Sequence, residues 1–217
     1  MKLPFTTEEF LKVFEKYNLA VWPMQYGLYL IAVAAVILAV KTTTYSSKYI
    51  SLALALLWLW MGIVYHLLFF STINKAAYGF GLLFIVQGVL FLIQGFFRNQ
   101  FSFEFKNDIY GFVGTAVILF ALIVYPVISY YLGHMYPSSP TFGLPCPTTI
   151  FTFGIILWMK NRCPVYVLFI PLLWSVFGFS AVYFLGMHED SGLLVTGMLT
   201  ALLIAIKNRK KQIPMPS

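Results

Sequence analysis

Apolar residues fall into seven long blocks along the chain, separated by short polar segments. Most of the blocks approach the roughly 20 residues that an α-helix needs to cross a ~30 Å hydrocarbon layer. Aromatic residues such as Trp22, Tyr49 and Tyr110 stand near the block ends, as in the aromatic belts of membrane proteins. The pattern predicts seven transmembrane helices, at residues 22–40, 49–70, 78–97, 110–130, 142–159, 165–184 and 193–206.

Residues 1–21 have a different, amphipathic pattern. Thr6 and Glu9 have the spacing of a capping box, and Phe5 and Phe10 have that of a hydrophobic staple. We expect an amphipathic helix in the membrane interface over residues 1–21, a transmembrane domain over 22–207 and a basic cytoplasmic tail over 208–217. Three glutamates and the lack of an apolar core in the first segment argue against a secretory signal peptide.

The composition identifies the solvent that the fold must face. Hydrophobic residues make up 60% of the 217 residues and charged residues only 10%, with a mean hydropathy of +0.84. Soluble domains carry roughly 25% charged residues, so a soluble fold could not bury this much apolar surface. We expect an all-α integral membrane protein that contacts the lipid bilayer and has no separate soluble domain.

The distribution of Lys and Arg predicts the orientation. With the N-terminus outside, four basic residues lie outside and the other ten of the 14 lie inside. The inner ones are Lys41, Lys48, Arg98, Lys106, Lys160, Arg162, Lys207, Arg209, Lys210 and Lys211. This positive-inside pattern predicts an N-out/C-in bundle with an odd number of helices. The basic C-terminal tail is also suited to contacting anionic lipids.

Few motifs of known chemistry accompany these helices. No Asp, Glu, Lys or Arg lies well inside a predicted span, which disfavours proton-driven transport and voltage sensing. The chain has no glycine-rich phosphate loop, Gly-x-Ser-x-Gly elbow, HExxH pair or CxxC motif. Nothing indicates nucleic-acid binding, and no residue is assigned a catalytic role.

The fifth predicted span is interrupted by Pro145 and Pro147. A regular helix is expected to begin near Pro147, so residues 141–149 would enter the outer half of the membrane as irregular backbone. Such backbone is tolerated where protein or a water-filled cavity covers it, and interrupted spans often mark binding sites in transporters. Cys146 would stand at the helix start, either as a reactive thiol or as an inert one in a packing turn.

A small, polar stripe runs along the third predicted span. Gly81, Gly88 and Gly95 recur every seven residues, with Gln87 and Gln94 beside them. The stripe is typical of close helix packing, and the alternative is a polar cavity lining. In that alternative the substrate-binding residues are Cys146, Thr148, Thr149, Gln87 and Gln94.

The three histidines all fall on the predicted outer side. Together with one cysteine they could supply nitrogen and sulfur ligands for zinc or copper, the candidate set being His66, His134, Cys146 and His188. The spacing matches no compact metal motif. The second cysteine, Cys163, is expected on the inner side, too far from Cys146 for a disulfide.

Short segments spread along most of the chain carry a family resemblance. They are Pro4-Phe5-Thr6, Tyr17-Asn18, Val21-Trp22-Pro23 with Gln25, Tyr65-His66, Ile73-Asn74 with Ala76-Ala77, Gln87-Gly88, Pro145-Cys146-Pro147-Thr148-Thr149 and Leu172-Leu173-Trp174. These resemble a bacterial family of multi-pass membrane proteins that is labelled as a domain of unknown function. The resemblance implies a bacterial inner-membrane location and supplies no catalytic residues.

Three hypotheses about function follow. The first is binding or transport of a small solute in the outer half of the membrane, near the Pro145–Pro147 turn. The second is a metal-binding protein or membrane enzyme that uses Cys146, His134, His66 and Asp190. The third is an accessory subunit without a small-molecule site. The interrupted fifth span favours the first hypothesis, because packing alone explains it poorly.

Overall fold

The computed structural model describes residues 4–210, without the side chain of Lys210, and this part of the chain is helical with short loops. The helices in chain order are α1 (Thr7–Ala20), α2 (Met24–Val40), α3 (Ser46–Thr72), α4 (Ala77–Phe97), α5 (Ile109–Tyr131), α6 (Pro145–Leu157), α7 (Val165–Leu185) and α8 (Ser191–Lys210). A short 3₁₀ turn, His188–Asp190, leads directly into α8. Each predicted block therefore contains a helix.

Length and composition distinguish the helices. Within the described residues, α3, α4, α5, α7 and the segment His188–Arg209 are long and apolar enough to cross a membrane. A sixth span results if α1 and α2, which meet at 85°, are taken as one bent unit. Helix α6 has only 13 residues. The protein is thus an all-helical chain with five or six helices suited to a membrane.

Helix α6 lies at the centre of the bundle, packed against α5, α7 and α8. Every residue of α6 is buried except Cys146, which is half-buried. The prediction that the helix begins near Pro147 was wrong, because it begins at Pro145. Both prolines fit the first turn, where a backbone N–H has no partner within the helix. The irregular residues before the helix, Phe142 and Leu144 among them, are covered by protein.

Two prolines inside long helices leave carbonyl groups that neighbouring helices bind. Pro126 in α5 frees the carbonyl of Leu122, which accepts a 3.4 Å hydrogen bond from the Tyr29 hydroxyl. Pro171 in α7 frees the carbonyl of Val167, which accepts a 3.0 Å hydrogen bond from Gln87 Nε2. Side chains thus replace the lost helical hydrogen bonds, as the membrane interior requires.

Helix α1 forms a roof over one end of the bundle. The predicted capping box between Thr6 and Glu9 is present, and the rings of Phe5 and Phe10 stack 5.8 Å apart. The Trp60 indole donates a 2.7 Å hydrogen bond to the hydroxyl of Tyr17, which is buried under the roof. We call this end, which also contains residues 132–144 and the turn His188–Asp190, the roofed end.

The opposite end carries most of the basic residues and is called the basic end here. It consists of residues 41–46, 98–108 and 158–164 together with the last turn of α8. Backbone hydrogen bonds join the loops to one another: Phe105 N donates to Ala39 O, and Glu104 N donates to Trp158 O. Helix α8 continues to Lys210, and residues 211–217 of the predicted tail lie outside the described residues.

Candidate functional site

A cavity of about 430 Å³ lies beneath the roof helix. Its walls are mainly aromatic, formed by Phe10, Phe14, Phe80, Trp174, Phe177 and Phe184. Phe177 and Phe184 are also exposed on the outer surface of α7. The cavity therefore opens sideways, between the start of α4 and the last turns of α7, towards the surroundings of the bundle.

The floor of the cavity is polar. Asp190, which is only 3% exposed, accepts a 2.6 Å hydrogen bond from the hydroxyl of Tyr125. The thiol of Cys146 lies within interaction range of the same carboxylate. The buried indole Nε1 of Trp174 faces the same thiol and makes no hydrogen bond of standard geometry within the described residues. An apolar slot thus ends in a carboxylate, a phenol, a thiol and an indole.

Gly178 leaves room for these groups to come together. A Cβ atom at this position would lie 3.5 Å from Cys146 Sγ and 3.4 Å from Trp174 Nε1, and only 2.6 Å from Leu193 Cδ2. A larger side chain here would therefore intrude between α7, α6 and α8. Glycine lets the three helices converge at the floor of the cavity.

Glu189, next to Asp190 in the chain, does not line the cavity. Its side chain is completely buried and makes a 2.8 Å contact with Nδ1 of His134, whose side chain is partly exposed. Its second carboxylate oxygen has no hydrogen-bond partner in the described part of the chain. Two consecutive carboxylates thus enter the bundle, and within residues 4–209 only Glu189 forms an ion pair with a basic side chain.

Local structure explains how Asp190 and Tyr125 reach the site. Gly186 ends α7 in the left-handed conformation, with φ +72°, which glycine adopts without strain. The chain then reverses through a tight turn in which Asp190 N donates to Met187 O. In α5, a π-helical stretch at Phe120–Val124 directly precedes Tyr125. Such stretches frequently occur at functional sites, because they re-aim the side chains that follow.

The predicted substrate-binding residues are distributed over three places. Cys146 lines the cavity. Thr148 accepts a hydrogen bond from Gly143 N and so holds the loop before α6, while Thr149 is buried outside the cavity lining. Gln87 binds the carbonyl of Val167, and Gln94 lies beside Arg98 at the basic end. The structure therefore brings only one of the five to the cavity.

The predicted stripe of glycines in α4 packs against α3. A Cβ atom on Gly81 would lie 2.7 Å from Leu67 Cδ2, and one on Gly88 would lie 2.8 Å from Leu59 Cγ. These distances are far shorter than ordinary contacts, so the stripe sets the close approach of the two helices. It forms a packing surface and not a cavity wall.

The four candidate metal ligands do not converge. Within residues 4–209, no group of three or more His, Cys, Asp and Glu side chains is placed to hold a metal ion. His66 is enclosed by the rings of Phe80, Phe84 and Trp174, and neither of its nitrogens has a hydrogen-bond partner. His134 contacts Glu189, and His188 is exposed. The predicted set of His66, His134, Cys146 and His188 therefore does not form a zinc or copper site here.

The two cysteines differ in environment as well as position. Cys163 lies at the basic end, outside the helices, where Asn208 Oδ1 accepts a hydrogen bond from its backbone N–H. Burial raises the pKa of its thiol to about 12, against the opposing effect of Lys207. The thiol of Cys163 is therefore almost entirely protonated near neutral pH. Cys146 is the cysteine that belongs to the cavity.

Sequence reasoning did not predict that Glu189 and Asp190 are buried in the bundle, or that Tyr125 binds Asp190. The last helical segment begins at His188 and not near residue 193 as predicted, which places Glu189 and Asp190 at its buried start. A signal was available, because acidic residues immediately before a helix favour its N-terminus. Tyr125 gave no signal in an apolar block rich in aromatic residues.

Comparison with known proteins identifies a family for most of the chain. Residues 7–214 match a family described as a family of unknown function (DUF6064). Neither the curated proteins nor the solved structures contain a match to the chain. The family resemblance predicted from the short segments is confirmed to this extent, and the chain belongs to this family of unknown function.

Proposed function

We propose that this is a seven-helix membrane protein, with its N-terminus outside, that binds a small and mostly apolar molecule in the cavity at the roofed end. The family resemblance favours the bacterial inner membrane as its location. The roofed end would then face the outer side, and the basic end would face the anionic lipids of the inner leaflet. We propose binding only, because transport would require a further opening of the cavity.

Two features support the seven-helix topology. Helix α2 has 17 apolar residues, the lower end of the range for a transmembrane helix. Helix α6 is enclosed by other helices, so it does not need the length of a lipid-exposed span. Lys48, Lys160 and Arg162 share the basic end, while Lys12, Lys16 and Lys75 belong to the opposite end. With the N-terminus outside, an odd number of spans places the first group on the inner side and the second group on the outer side.

The cavity itself is the observation that carries the binding proposal. Ligand sites are usually concave, mostly apolar and lined by a few polar groups that converge on one point. Here aromatic walls close on Asp190, Tyr125 and Cys146. Below this floor, the Trp58 indole donates a 3.1 Å hydrogen bond to Thr152, within a tightly packed layer. A molecule from the outer half of the bilayer could enter sideways and stop at the floor.

Protection of Cys146 from alkylation tests the binding proposal. In a Cys163→Ala protein in maltoside micelles, N-ethylmaleimide should modify Cys146, and octanol should slow that reaction in a saturable manner. Ala181→Trp, which fills the cavity, should remove the effect of octanol. Val176→Trp, on the exposed side of the same helix, is the matched control and should retain it. Absence of modification, or of protection, would contradict the proposal and favour an accessory subunit.

The orientation is tested separately with single cysteines in a Cys146→Ala, Cys163→Ala protein. Lys75→Cys places a thiol at an exposed position of the roofed end, and Asn161→Cys places one at an exposed position of the basic end. In intact cells, a membrane-impermeant maleimide should label only the first. Labelling of Asn161→Cys alone would reverse the proposed topology.

A further inference from the structure

The two buried carboxylates at the roofed end differ in whether a basic side chain pairs with them. Glu189 contacts His134, which can carry a positive charge. The groups that face Asp190 are Tyr125, Cys146 and, on the neighbouring residue, the carboxylate of Glu189. Among residues 4–209, no Lys, Arg or His forms an ion pair with Asp190. The cavity floor thus presents a carboxylate without a cationic partner among the described residues.

A buried carboxylate requires a compensating positive charge or a proton, because removing an isolated charge from water is strongly unfavourable. The walls of the cavity favour a cation as that partner. The rings of Phe80 and Trp174, which both line the cavity, pack edge-to-face against each other. The negative faces of aromatic rings attract ammonium groups, and most strongly where water is excluded.

The size and lining of the cavity decide which kind of cation fits. A bare metal ion needs several oxygen, nitrogen or sulfur ligands, and no group of three such side chains is present in the described part of the chain. A volume of about 430 Å³ with mainly apolar walls suits an organic body instead. The sideways opening past Phe177 and Phe184 gives such a molecule access from the bilayer.

We infer that the molecule bound in this cavity is an amphiphilic organic cation, whose protonated ammonium group pairs with Asp190 and whose apolar part lies against the aromatic walls. This inference rests on the proposed binding function and specifies its ligand class. Trp174 Nε1, which faces the thiol of Cys146, adds a hydrogen-bond donor at the same floor for an oxygen close to the ammonium group.

A matched pair of probes tests the inference in the same alkylation assay. At pH 7, octylamine is protonated and reacts negligibly with maleimides, and it differs from octanol in charge but hardly in size. With the Cys163→Ala protein in uncharged maltoside micelles, octylamine should protect Cys146 at concentrations at least tenfold lower than octanol. Asp190→Asn should abolish this preference while octanol still protects. Glu104→Gln, which removes a carboxylate at the basic end, should leave the preference unchanged.

The possible outcomes distinguish the cation inference from the binding proposal on which it rests. Equal protection by the two probes would overturn the cation inference and leave binding intact, whereas protection by neither would overturn both. A preference that survives in Asp190→Asn would overturn the role of Asp190. If Asp190→Asn fails to fold, the comparison of octylamine with octanol in the Cys163→Ala protein still decides the cation inference. Competition from added phosphatidylethanolamine would assign the ammonium group to a lipid, and its absence would assign it to a free amine.

Discussion

The roofed end and the basic end both bury polar groups, but they differ in how these groups are bound. At the basic end, Lys207 Nζ donates to the carbonyls of Leu157 and Met159, and the Trp158 indole donates to Gly111 O. At the roofed end, by contrast, His66 and one oxygen of Glu189 have no hydrogen-bond partner among the described residues. The basic end therefore binds its buried polar groups internally, whereas the roofed end leaves some of its own without partners in the described part of the chain.

The largest expected effect is the loss of Trp158 at the basic end. Trp158→Ala removes a buried ring and its 3.0 Å hydrogen bond to Gly111, which should lower the free energy of unfolding by about 3–5 kcal/mol. Thermal unfolding in micelles measures this, with Phe112→Ala on the exposed face of α5 as the control. Octanol should still protect Cys146 in the folded fraction. Loss of that protection at low temperature would show that the two ends are not independent.

A smaller effect is expected where the roof is attached. Asn18 donates to the carbonyls of Pro137 and Ser139 at 2.6 and 2.8 Å and accepts from Thr141. Asn18→Leu should cost about 2 kcal/mol, because it leaves these groups without partners. It should also speed the alkylation of Cys146, since the roof then opens more often. Asn107→Leu, at an exposed position of the basic end, is the control and should change neither quantity.

Lys207 should contribute less to the free energy of unfolding, because its side chain is half-buried and water can replace part of its hydrogen bonding. Lys207→Met removes two hydrogen bonds to the end of α6 and a contact of Nζ with the Tyr110 ring at 4.6 Å. We expect a loss of about 1.5 kcal/mol in unfolding free energy. Arg209→Met, at an exposed position of the same helix, should cost much less. A faster alkylation of Cys146 in Lys207→Met would contradict the separation of the two ends.

Local patterns in the sequence predicted the parts of the fold that depend on neighbouring residues only. The apolar blocks, the capping box of Thr6 and Glu9 and the staple of Phe5 and Phe10 all rest on short spacings, and the helices follow them. The start of α6 was misplaced by two residues, because two prolines in one turn were taken as an interruption. Whether a first-turn proline begins a helix or precedes it depends on the surrounding packing.

The site depends on contacts between distant segments, which explains why it was only partly predicted. Cys146 was found because Pro145 and Pro147 mark it locally. The burial of Asp190 follows from the turn after Gly186 and from Tyr125, which is 65 positions away in the chain. A charged residue at the edge of an apolar block looks the same in sequence whether it faces solvent or the bundle. The predicted metal ligands did not converge for the same reason. His66, His134 and Cys146 lie at the same end of the bundle, but their side chains do not meet at one point.

The smallest expected effect concerns Gln87, and it sharpens the contrast between packing and binding. In the structure its amide replaces the hydrogen bond that Pro171 removes from Val167. Gln87→Leu should therefore cost only about 0.6 kcal/mol, the average for hydrogen bonds between membrane helices. Protection of Cys146 by octanol should be unchanged, as it should be in the control Gln94→Leu. A loss of protection in Gln87→Leu alone would restore Gln87 to the binding site and extend the cavity into the layer between α4 and α7.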